Sequence, residues 1–318
     1  MSREHPPAEK FGRFRLLLSV QAPEEAAPSR EDARDDQLVE SGSFRVDTAW
    51  MIEKLRKHQI GDPLDFLAPL LRAAVASGAT RVSLDRATGG FAMRFDGRPF
   101  SSRELADPLR ALADREGEAA ARGVHLAYGL LALERLGPEL VQITSGGPSG
   151  QATAVLTTKK SAPPGWIGIN RAEGTVLGVR WGWSSSWGLT KDVFRRAAKR
   201  YGMTSTALLV EGRPVPGPPP PGEKNWHRFE TEGWRGAFRF VEDESPLSRV
   251  RLYCLGAFVE EVRERVGFQP VEALLGSDAL NLDLSQSGVV RDWKSSVSGS
   301  SLEEGLALLR DQAERYFA

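Results

Sequence analysis

Cys254 and four histidines, His5, His58, His125 and His227, are the side chains with the widest chemical repertoire in this chain. A thiolate or an imidazole can attack a carbonyl, move a proton or bind a metal. The single cysteine lies in the apolar run RVRLYCLGAFV with no histidine or second cysteine near it in sequence, which predicts a buried, inert thiol. The histidines are scattered without ligand spacing, so no metal site is expected. Trp181, Trp183 and Trp187 cluster in WGWSSSWGL, and period-two spacing puts the first two on one strand face. They form either an aromatic edge packed by a neighbouring helix or an anchor for a protein partner. Arg195-Arg196 and Lys199-Arg200 recur at helical spacing opposite Val193, Phe194, Ala197 and Tyr201. This reads as a solvated helix face, because nucleic-acid binding would want interleaved aromatics or a recognised motif.

The elements that must position these residues belong to a chain of 318 residues, 41% of them hydrophobic, which is enough for two ordinary cores. Lys and Arg number 42 against 42 Asp and Glu, so no global field favours nucleic acid or an anionic membrane. The opening MSREHPPAEK lacks the apolar core of a secretory signal, and no apolar run approaches a membrane span. A cytoplasmic protein is expected. Residues 1–42 read as a mostly disordered tail, with the charge run REDARDD and one apolar island, FRLLLSV, as a possible short element.

From there GSFRVDTAWMIEKLRKHQI offers a short strand and a helix capped by Asp47. Asp62 caps a second helix that begins near Pro63 and stops at Ser77-Gly78. Pro69 inside it would cost about 3 kcal/mol in a regular interior, so a kink or restart is expected there. Val82 and Leu84, then Phe91, Met93 and Phe95, alternate with polar neighbours and predict a hairpin turned around Thr88-Gly89-Gly90. Helices are expected over 102–121, 126–136 and 190–201, and strands over 140–144, 151–157, 174–181 and 205–211. RPVPGPPPPGEK, within a linker at 213–227, prefers extended polyproline II and is expected to stay out of any sheet. Beyond it come strands over 236–241 and 249–255, an irregular segment, and a helix capped by Ser301 with Glu304 that buries Leu302, Leu306, Leu309 and Ala313.

Several of these strings, in this order, resemble the GHKL superfamily, and within it the heat shock protein 90 (HtpG) chaperones. FRVDTAWMIEKLRKHQIGDPLDFLAPLLRAAVASGA looks like that family's opening strand and two helices. EGTVLGVRW followed by DVFRRAAKRYGMTSTALLVEG looks like the end of its nucleotide-binding domain. RVRLYCLGAFVEEV and GSDALNLDLSQSGVVRD resemble two stretches of its middle domain. The resemblance covers roughly 43–293 and leaves no room for the family's C-terminal dimerisation domain. It implies an α+β chain: a GHKL-type (Bergerat) two-layer α/β sandwich over 43–212, then a smaller middle-type α+β domain over 228–318.

The resemblance also says where chemistry would stand. The family pattern E-L-x-x-N-x-x-D-A puts its water-polarising Glu on Pro69, its magnesium-binding Asn on Ala73 and its Asp on Ala76. An alanine has no oxygen for a hard cation and a proline has no proton to move. The D-x-G-x-G motif falls on FDGRPF, with Phe95 or Asp96 under the adenine-binding Asp, Gly97 kept and Pro99 in place of the second glycine. The phosphate lid maps onto RGVHLAYGLLALERLG, where Gly123 and Gly129 remain and Ala127 replaces a glycine; a helix boundary or close packing explains such a pair better than phosphate binding does. The middle-domain arginine position holds Gln286, and Arg291 could substitute only with a rebuilt loop. Base, metal ligand and phosphate cation are therefore all replaced, so a pseudo-ATPase is expected, with no cofactor and an unidentified protein partner or client, and with neither nucleic acid nor membrane as partner. The alternatives are an ATP-binding, HtpG-like chaperone with altered site residues, using Asp96, Gly97, Gly123 and Gly129 with ATP and magnesium, and a regulatory scaffold that recruits partners through the acidic tail and proline linker.

Overall fold

A computed structural model of the chain describes residues 10–11, 14–21, 52–55, 62–113, 118–147, 150–158, 173–182, 186–217, 219, 223, 225–231, 233–242, 245–283, 285–291 and 301–316. The fold is α+β, with two mixed sheets. The first contains β1 (Lys10–Phe11), β2 (Phe14–Gln21), β3 (Arg81–Ala87), β4 (Gly90–Phe95), β5 (Leu140–Gly147), β6 (Gly150–Thr157), β7 (Gly174–Arg180), β8 (Ala207–Val210) and β9 (Arg213–Pro214). Its order is β1-β2-β6-β5-β7-β4-β3-β8-β9, antiparallel except for the parallel pair β3 and β8. The second contains β10 (His227–Thr231), β11 (Trp234–Phe240), β12 (Ser248–Cys254), β13 (Ala257–Glu264) and β14 (Val271–Ser277), in the order β10-β11-β14-β12-β13.

Period-two alternation sends Val82, Leu84, Phe91, Met93, Phe95, Val141, Ile143, Leu177 and Val179 into one core. Residues 52–55 are helical (α1), and three longer helices fill that core: α2 (Leu67–Ala76), α4 (Glu118–Arg135) and α5 (Ser186–Arg200), with the short α3 (Ser102–Ala106) between α2 and α4. Phe91 is the hub, tilted against Phe66 and Trp181 and edge-on to Phe194. On the second sheet α6 (Leu302–Arg315) buries Leu302, Leu309 and Ala313 against Val250, Leu252, Val271 and Leu275. Ser301 caps it by accepting from the Glu304 N–H.

Several expectations need correction. The helix expected from Pro63 is a 3-10 turn, Pro63–Phe66, capped by Asp62, followed by α2. Pro69 therefore falls in the first turn of α2, where no intrahelical donor is required, and the expected restart lies just before it. The helix expected over 102–121 is broken after Ala106, at Asp107-Pro108, and α4 then runs unbroken from Glu118 through the whole lid-like string. The apolar island is an eight-residue strand, β2, paired with β6, so the first sheet draws on residues before 43. The rest of the expected tail lies outside the described residues, except 10–11. Pro214 does join a sheet, as half of the two-residue edge strand β9; an edge leaves its missing N–H without consequence. The segment read as irregular after Leu255 holds β13 and β14.

The two units also touch, through α2 and the residues that follow α5. Tyr201 bridges Ala257, the Gly202 N–H donates to the Gly256 carbonyl at 2.9 Å, and Val75 and Ala76 pack on the second core. Among the described residues, no helix is long and apolar enough to cross a membrane.

Candidate functional site

The residues that the resemblance singles out do converge, around α2, the turn after β4, α4 and the loop carrying Gln286. Asp62 accepts the Leu64 N–H and, with Asp65, binds Arg196 and Arg200 of α5, fixing the start of α2. Burial acts to raise the Asp62 pKa, but the Leu64 N–H and the two guanidinium groups outweigh it and hold the carboxyl below its usual value. The other end of α2 is tied to the turn after β4, where the Arg98 N–H donates to the Ser77 carbonyl at 2.7 Å. Gly97 sits where a Cβ would approach the Ser77 oxygen to 2.6 Å, so backbone contact with α2 already accounts for this glycine.

These elements pack directly against one another. Ala73 and Phe95 are buried in the first core together with Leu126 and Ala127 of α4. At Gly129 a Cβ would lie 2.4 Å from the Leu70 side chain, so α2 and α4 are in direct contact. Gly123 likewise faces Ala111 across a close helix contact. Both glycines lie inside α4, and a continuous helix spends its N–H groups on its own carbonyls instead of offering them to phosphate. The turn itself is bolted down. Arg122 pairs with Glu104 at 2.7 Å, donates to the Arg98 and Pro99 carbonyls, and stacks on Phe100.

Asp96 is engaged as well. Its carboxylate accepts the Thr80 N–H at 2.8 Å, the Arg81 N–H at 3.0 Å and the Thr80 hydroxyl. Burial acts to raise its pKa, yet these donors outweigh it and lower the value. The group thus caps the start of β3.

Gln286 approaches α2 and meets a cation there. Arg72 of α2 is fully buried and donates through Nη1 to the Gln286 backbone oxygen at 3.1 Å and to Oε1 at 3.4 Å. Its Nη2 donates to the Phe258 carbonyl of β13 at 3.4 Å. The Gln286 side chain also hydrogen-bonds His125 of α4. Burial, reinforced by Arg72, pushes the His125 imidazole from 6.5 down to about 3, so it is neutral. Arg291 points elsewhere and lies 3.8 Å from Glu260. No protein-family model matches the chain, and no curated protein matches it.

The remaining candidates divide. Trp181 is buried against Phe91, which removes it as an exposed partner anchor; Trp183 and the side chain of Trp187 lie outside the described residues. Cys254 is buried, and burial pushes its thiol up to about 11 against the opposing pull of Arg72, so it is inert as a nucleophile. On α5, Arg196 and Arg200 are partners of Asp62 and Asp65, while Arg195 pairs with Asp192 on the solvent side. Sequence reasoning passed over Arg72, the one charge inside LAPLLRAAVA, and treated His125 only as a scattered imidazole. A lone arginine on an otherwise apolar helix was the available signal.

Proposed function

We propose that the chain is a heat shock protein 90-like pseudo-ATPase of the GHKL type, acting as a chaperone-related protein-interaction module without hydrolysing ATP. One observation supports this reading most. The volume between α2 and α4 beside Ala73 and Phe95 is filled with packed side chains, and Pro69, Ala73 and Gln286 occupy the places of base, metal ligand and phosphate cation. Phosphoryl transfer depends on positioned charge, and an alanine, a proline and a neutral amide supply none. The order of sheet and helices around those positions is compatible with a Bergerat-type domain followed by a middle-type one.

Without turnover, the activity left to such a scaffold is recognition of another protein. The test is aggregation of a thermally unfolding client protein, followed by light scattering with and without magnesium-ATP. Suppression that nucleotide leaves unchanged is the expected result. Absence of suppression would remove the chaperone-like role, and nucleotide-dependent suppression would favour an ATP-driven chaperone.

A further inference from the structure

The junction between the two sheets contains a polar cluster that is poorly suited to a permanent interface. Arg72 is wholly buried, yet among the described residues its guanidinium meets only neutral acceptors, the two Gln286 oxygens and the Phe258 carbonyl. Its Nε and the Nδ1 of His125 have no hydrogen-bond partner among the described residues. Asp65 and Asp283 act on Arg72 only through space. Gln286 itself sits at φ 58°, a left-handed conformation that strains any residue with a side chain. Apolar groups of equal volume would hold a fixed interface at least as well as an under-satisfied buried cation.

We propose that Arg72 and Gln286 form a releasable latch between the two units, and that its opening frees the 283–288 turn and the Phe258 carbonyl of β13 while both cores, including Val289, stay folded. Opening hydrates the guanidinium and its bare Nε, and lets Gln286 leave the left-handed region. It also uncovers the Phe258 carbonyl, which lies on β13, a strand paired with β12 and bridged at Ala257 to Tyr201. Little apolar surface of α2 is exposed by this opening, since Val75 and Ala76 are small. Local opening of this kind lies below global unfolding in free energy and is the usual source of switching elements. The latch rests on Arg72 and its partners alone, and it holds whether or not the chain binds nucleotide.

Residue-resolved amide hydrogen exchange on the full chain tests it. Two amides report on the latch: Asp283, which donates to the Gly288 carbonyl at 2.9 Å, and Gln286, which donates to the Asp283 carbonyl at 3.0 Å. In the wild-type protein both should exchange on the order of 100-fold faster than paired amides of β5 and β14, as expected for a sub-global opening. Arg72→Lys, which keeps the charge but cannot span both acceptor sets, should speed Asp283 and Gln286 by a further tenfold or so and leave β5 and β14 unchanged. If the wild-type reporters exchange only at the rate of the cores, the junction opens only by global unfolding and the latch is overturned. Equal acceleration of reporters and cores in the variant would overturn it as well.

Discussion

Acidification should weaken this protein through His125 before any carboxylate takes part. The imidazole titrates near 6.5 when the chain is unfolded and near 3 when it is buried beside Arg72. Because the folded value is the lower one, the unfolded chain takes up the proton first, and stability falls as pH drops from about 6.5 towards 3. Linkage with these two values costs about 0.2 kcal/mol at pH 7 and about 2 kcal/mol at pH 5. Asp62 and Asp96, whose values are lowered from 3.8, contribute stability that is lost as pH falls from about 3.8 through their folded values, below the interval from pH 7 to pH 5. The assay is urea unfolding of the wild type and of His125→Leu at both pH values. Every other histidine is present in both proteins and cancels in the comparison. The variant should lose roughly 2 kcal/mol less than the wild type between pH 7 and pH 5, whatever its baseline stability. An identical loss in the two proteins would show that His125 is not held neutral in the fold.

Two further outcomes follow from the packing. Gly129→Val drives a branched side chain into Leu70 and should destabilise by about 1–3 kcal/mol, with partial recovery when Leu70→Ala is added; denaturant midpoints measure both. Trp181→Ala removes a buried ring beside Phe91 and should cost roughly 3–5 kcal/mol by the same assay, where an exposed anchor would cost close to nothing.

Much of the fold was legible because its signals are local. The β3–β4 hairpin follows from alternation and a glycine turn, the Asp62 cap from its residue type, and α6 from a capping box and an apolar stripe. Where reading failed, tertiary packing had overruled local preference. A break is expected over 122–125, at Gly123, yet α4 runs through it, because Gly123 and Gly129, at a helix cost of about 1 kcal/mol each, sit where the helix closely approaches its neighbours. The strand VEALLGS shows no alternation because β14 is central and nearly all its residues are buried, so it resembles an irregular apolar run. As for the candidate site, the sequence named most of the positions that converge. It could not show that Asp96 spends its carboxylate on Thr80 and Arg81, or that Arg72 would reach Gln286, more than 200 residues away. Such pairings exist only once both sheets are in place.

Calorimetric titration of the full chain with magnesium-ATP tests the central claim most directly. A closed α2–α4 interface with Asp96 engaged predicts no heat of binding, and no gain in unfolding free energy at millimolar nucleotide. A saturable heat, accompanied by the roughly 2.7 kcal/mol of stabilisation expected at 100 times the dissociation constant and abolished by Asp96→Ala, would contradict it.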